Sequence, residues 1–297
     1  MGHQKTDTGH RTVITGRQTI EIGEVRCSVV LEDGFFQKEF DSILSSYRHM
    51  GFCTEGKPDI KIIVRGKPIP VPSLLTKKMF YHSMDYDSVS ATLFFDMERF
   101  EGHLGIAIIR DELLTPVRIW ELVETFICNA YLFYFLFNEL GTFIHSSSIA
   151  DEAGGYIFAG HSGAGKSTIA RLSSPRTILS DDLVLLRKGK NGKRQVFGTP
   201  FVGDSPSINR GVDCKAIYFL EKDDSCEIVP VTRMDSVVRL MKEGVIGGFI
   251  WHDAIQNIYP YSRYLFLLID LFDGIPCFKL RFKKDNSFWE VINGKRG

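Results

Sequence analysis

Tyr156-Ile157-Phe158-Ala159-Gly160-His161-Ser162-Gly163-Ala164-Gly165-Lys166-Ser167-Thr168 decides the fold of this chain. The first four residues are apolar and read as a buried strand. The next stretch fits G-x-x-x-x-G-K-[ST], and its three glycines let successive backbone N–H groups turn inward to line an anion nest. Lys166 then reaches the β- and γ-phosphates of a nucleotide, and the Ser167 hydroxyl ligates Mg²⁺. Lys166 to Leu172 reads as a helix, which Pro175 ends. Strand, glycine loop and helix together predict an α/β fold. They also predict a phosphate site formed by Gly160, His161, Ser162, Gly163, Ala164, Gly165, Lys166, Ser167 and Thr168.

Downstream, the short strand Thr177–Leu179 delivers Ser180-Asp181-Asp182. Adjacent carboxylates at a strand end divide labour: one holds Mg²⁺ and the other faces an acceptor hydroxyl. Upstream, His145 lies on the strand Phe143–Ala150, which is joined through the turn at residues 151–155 to the strand entering the loop. Two readings of His145 stay open: a structural imidazole, or a polar group near the γ-phosphate. Hydrolysis, transfer and a non-catalytic switch or scaffold are all compatible with the loop alone.

The rest of the chain sets bounds. Lys plus Arg and Asp plus Glu each number 36, so no bulk field draws the chain to nucleic acid or an anionic membrane. The most apolar segment, Phe126–Phe137, is interrupted by Asn129 and reads as a buried helix, not a membrane span. The six cysteines form no C-x-x-C pair, which points to a reducing cytoplasm rather than a disulfide framework. Residues 1–19 are polar and read as a flexible tail. Residues 20–112 then form an N-terminal α/β domain, with strands at Val25–Leu31, Ile60–Val64, Ala91–Phe95 and Leu104–Ile109 and a helix at Phe36–His49. A connecting helix follows over 113–141, opened by Thr115-Pro116 and ending at Leu140. Residues 142–297 form the nucleotide domain. There the Asn191-Gly192 pair predicts a tight primed turn in a Lys-rich hairpin.

His145, the loop from Gly160 to Ser167 and Ser180-Asp181-Asp182 resemble, in order and spacing, the catalytic domain of HPr kinase/phosphorylase. The resemblance covers roughly residues 140–285. It implies a P-loop kinase core of the HPr kinase/phosphoenolpyruvate carboxykinase type, using ATP and Mg²⁺ and assembled from several copies. It also implies that Lys166 contacts the β/γ-phosphates, Ser167 ligates Mg²⁺ and Asp182 takes the proton from a seryl hydroxyl. His145 would lie near the transferred phosphoryl group, and Asp204 in the Gly198–Asp204 segment would be an acidic metal ligand beside Asp181. The chain departs from the true HPr kinases at His161 and Thr168, where they carry acidic residues, and it lacks their Glu-x-Arg-Gly stretch. It is more similar to divergent HPr-kinase-like proteins found beside peptide-modification enzymes, including those of lasso-peptide pathways. That setting implies a small protein or peptide as the Ser/Thr-bearing acceptor.

Overall fold

Alternating apolar residues near the N-terminus pair into strands from the outset. In the computed structural model, which describes residues 14–32, 34, 36–85, 88–109, 116–201, 203, 207–242 and 259–294, β1 (Ile14–Ile22) and β2 (Val25–Glu32) form a hairpin. Its turn, Gly23-Glu24, has both residues at positive φ, 57° and 63°. That is the primed geometry whose twist matches the flanking strands. Residues 14–19 of the expected tail belong instead to β1, and residues 1–13 lie outside the described residues. Ile20 and Ile22 are buried, whereas Ile14–Thr19 are mostly polar because they lie near the sheet edge.

The apolar residues Phe40, Leu44 and Tyr47 recur at helical spacing and bury one face of α1 (Gln37–His49). β3 (Cys53–Thr54), β4 (Ile60–Arg65), β5 (Met79–Asp85), β6 (Val89–Asp96) and β7 (Glu101–Ile108) complete a seven-stranded sheet. Its order is β3-β1-β2-β4-β7-β6-β5, with β2, β4 and β7 parallel.

α2 (Pro116–Phe137) is buried nearly all round from Phe126 to Leu136. A helix of this kind sits inside a core. Thr115 lies outside the described residues. The helix ends at Phe137, short of the expected Leu140, because Glu139 turns to φ 52°. Leu140 N–H then donates to the Phe135 carbonyl and Glu139 N–H to that of Leu136, a Schellman closure made without glycine. One continuous apolar cluster joins Ile62 and Leu104 of the first sheet, Tyr131 and Phe135 of α2, and Phe143 and Leu185 of the second sheet. α2 therefore serves as shared core for both halves.

The second sheet has eight strands. β8 (Gly141–Asp151) pairs with β11 (Leu183–Lys188) along its first half and with β9 (Gly154–Ala159) along its second. β10 (Thr177–Ser180) covers the outer edge of β8. β13 (Gly211–Lys222) likewise pairs first with β12 (Arg194–Gly198) and then, in parallel, with β9. β15 (Cys277–Phe282) continues in parallel, and β14 (Glu227–Val231) closes the edge antiparallel to it. The β11–β12 hairpin differs from the expected tight turn: Gly192 N–H donates to Gly189 O at 3.0 Å, and Gly192 itself takes φ 78°. The result is a three-residue loop with a bulge, not a two-residue primed turn.

α3 (Lys166–Leu172) and α6 (Phe288–Gly294) cover one face of this sheet over Phe158, Tyr218 and Leu280, with Trp289 of α6 packed among them. α4 (Arg233–Lys242) and α5 (Tyr261–Leu271) contribute Val237 and Leu268 to the core on the other face. The fold is thus mixed α/β, with two sheets and six helices among the described residues. None of those helices is long and apolar enough to cross a membrane.

Candidate phosphate-binding site

β9, the loop 160–165 and α3 follow one another without interruption, as the sequence pattern requires. The loop turns on glycine. Gly163 and Gly165 take φ 78° and 109°, values that L side chains avoid. At Gly165 space is also lacking, because a Cβ would stand 2.7 Å from the Phe282 ring. Gly165→Ala is therefore expected to destabilise the fold by about 1–3 kcal/mol. A urea titration against the parent chain checks this.

α3 is only seven residues long, so its dipole is weak and the loop amides with Lys166 carry the electrostatics. Lys166 is 7% exposed, and its Nζ donates to the carbonyls of Gly160 at 3.0 Å and His161 at 3.3 Å. The ammonium thus stays over the loop. From the neighbouring strand the buried Ser147 Oγ donates to the Lys166 carbonyl at 3.2 Å, fixing the helix start against β8. Ser167 and Thr168 follow, both half-buried. His161 and Ser162 are exposed at the loop apex. His161 Nδ1 lies 2.6 Å from the Ser162 carbonyl, which only accepts, so Nδ1 bears the proton.

His145 and Asp182 come together through strand register. β8 and β11 pair with Leu183 opposite His145, and the Ser146 N–H donates to the Asp182 carbonyl at 2.8 Å. This leaves His145 Nδ1 3.4 Å from Asp182 Oδ1, with both side chains partly open to solvent. Burial lowers the His145 pKa below its ordinary 6.5; Asp182 pulls it back up, and the positive charge of Lys166 lowers it further. His145 is therefore neutral at pH 7, and the Lys166 charge is near enough to bear on it.

The two adjacent acids are not equivalent. Asp181 is 2% exposed, whereas Asp182 keeps about a quarter of its side chain open beside His145. Gly203, at φ 127°, lies against Asp181 so closely that a Cβ there would stand 2.2 Å from Oδ1. Asp204 lies outside the described residues. Among the described residues no group of three or more His, Cys, Asp or Glu side chains is placed to hold a metal ion by itself. The Ser167 hydroxyl and the Asp181 carboxylate are hard oxygen donors of the type Mg²⁺ takes, and Mg²⁺ bound through phosphates needs only one or two such protein ligands.

Sequence reasoning missed Ser147 and Gly203. A polar residue on a buried strand beside the phosphate loop was the available signal for Ser147. For Gly203 the signal was its place in the Gly198–Asp204 segment, which was expected beside Asp181. The six cysteines are free thiols, in keeping with the absence of paired spacing in the sequence.

No curated protein matches this chain. A family model described as SynChlorMet cassette protein ScmC matches residues 116–294, which runs from the start of α2 to the end of α6 and takes in the whole second sheet. With more than half of its length so matched, the chain belongs to the ScmC family.

Proposed function

We propose that this protein is an ATP- and Mg²⁺-dependent kinase of HPr-kinase-like type, built on a P-loop kinase core. It transfers a γ-phosphoryl group to a Ser or Thr hydroxyl of a small protein or peptide in a reducing cytoplasm. The ScmC description names a cassette and no reaction, so the reaction is argued from the residues. One observation carries it: the His145–Asp182 pair stands on the β8 flank of the glycine loop, within electrostatic range of Lys166. A phosphate holder alone needs no such pair.

The chain's own groups divide the work as follows. Loop amides and Lys166 hold the β- and γ-phosphates, and the lysine charge balances the negative charge that builds during transfer. Ser167 and Asp181 would hold Mg²⁺, which shields the phosphate oxygens when bound. Asp182 accepts the proton of the acceptor hydroxyl while that oxygen bonds to the γ-phosphorus and the bridging oxygen leaves with ADP. Neutral His145 keeps the Asp182 carboxylate in place. Catalysis of this kind rests on position and charge.

Incubation with γ-labelled ATP and Ser/Thr peptides encoded near the gene tests the reading. Label on a peptide supports it. Phosphate release without a labelled peptide indicates an ATPase, and binding without turnover indicates a scaffold.

The lowered His145 pKa gives a signed pH dependence. Transfer should stay flat from about pH 7 to 8 as far as this group is concerned. It should fall as pH drops below about 6.5 and His145 protonates, drawing Asp182 into an ion pair. Native stability moves in the same direction, because the unfolded imidazole protonates first as pH falls. His145→Gln should remove this acid limb from the kcat/KM profile. An unchanged limb in the variant would assign it to another group.

A further inference from the structure

The β13 flank of the loop holds a cavity that the transfer chemistry does not use. It has a volume of about 380 Å³ and lies between the loop apex at Gly163 and Ala164, the end of β13 at Leu220–Lys222, Lys279 of β15 and Arg239 of α4. Resting on the reading of the loop as a nucleotide phosphate site, we infer that this cavity takes the ribose and base of the nucleotide.

Three observations carry the inference. The first is placement. Ala159, the last residue before the loop, pairs with Ser146 of β8 on one side and with Phe219 of β13 on the other. The His145–Asp182 pair hangs on the β8 flank and the cavity on the β13 flank. A phosphate chain lying across the loop thus has one end at the acid and the other at the cavity. The cavity also sits at the carboxyl ends of the parallel strands β9 and β13, where open α/β sheets hold ligands.

The second is size: the volume falls at the lower end of the range for small-molecule sites. The third is chemistry. Arg239 borders the cavity with its guanidinium 5.2 Å from the Phe219 ring, a plane of the kind on which an aromatic base stacks. Leu220 and Ala164 add apolar wall. Glu221, held by Lys279 at 3.1 Å, offers a carboxylate to ribose hydroxyls. With Lys222 and Arg239 the lining is net positive, which suits a ligand whose other end is a phosphate chain.

Calorimetry on the full chain separates this site from the phosphate loop, using Mg·ATP and inorganic tripolyphosphate as the two probes. Arg239→Ala should weaken Mg·ATP about tenfold or more and leave tripolyphosphate within about twofold. Arg239→Lys keeps the charge but loses the plane, and should give the same split with less risk to packing against Phe219. Equal weakening of both probes would show that the cavity serves phosphate charge and overturn the inference, as would unchanged ATP affinity in both variants. If the parent chain binds neither probe, the phosphate-site reading fails and the inference falls with it. If the parent binds both and the arginine variants show no split, the cavity assignment alone is wrong.

Discussion

Lys166→Ala is expected to weaken Mg·ATP binding by about 10²-fold or more and to reduce transfer below detection, with the fold retained. The side chain is almost wholly buried, so its charge acts through a medium less polarisable than water. Its ammonium is also held directly against the glycine-loop carbonyls of Gly160 and His161. Losing those two bonds costs about 1–3 kcal/mol of stability, because the carbonyls lose a charged donor. That cost leaves the apolar cluster beneath the loop, around Phe158 and Trp289, in place. Thermal melts separate the two effects: the alanine variant should still melt cooperatively but gain no Tm from Mg·ATP, whereas the parent gains several degrees. An alanine variant that binds and transfers like the parent would remove the phosphate loop from the mechanism.

How much of this was legible in the sequence follows from how local each determinant is. The strand, loop and α3 were readable because every residue that shapes them lies within about one turn or strand of its neighbours. β1 was missed because Ile14–Thr19 lie near a sheet edge and look like tail, and only the pairing with β2 makes them a strand. β5, with His82 and Ser83 on the opposite edge, failed to show for that reason too. α6 is seven residues long and is held by Phe288, Trp289 and Ile292 packing into the sheet, with Trp289 Nε1 donating to Ser173 at 3.0 Å. No local signal announces such a helix. The His145–Asp182 contact depends on the β8–β11 register, and register between distant strands is set by the whole hydrophobic pattern. Its two members were identified from the sequence, but the contact between them required the fold.

The ScmC match begins at α2, yet the matched segment does not bury its own surface. Phe201 is fully enclosed by Tyr131 and Phe143 from within the segment and by Tyr47 of α1 from outside it. Asn209 donates through its backbone N–H to Met50 O at 3.2 Å and through Nδ2 to Gly51 O at 3.0 Å. Arg187 reaches the Gly23 carbonyl in the β1–β2 turn. α1 and the turn after it therefore brace Phe201 and Asn209, and Gly203, which lies between them in sequence, stands against Asp181.

Asp182→Asn is the second large effect and the sharper test of transfer. The amide keeps the shape of the carboxylate and can still approach His145 Nδ1, so the pairing of β8 with β11 survives. What it loses is the capacity to accept a proton from the acceptor hydroxyl. General-base contributions are about 10²- to 10⁴-fold, and transfer should fall within that range. Mg·ATP affinity should stay near that of the parent, because the loop amides and Lys166 are untouched. The split between lost transfer and kept binding is the opposite of the Lys166→Ala result, in which both go together. Normal transfer by the asparagine variant would show that the acceptor proton leaves by another route, and Asp182 would then serve the local geometry beside β8 alone.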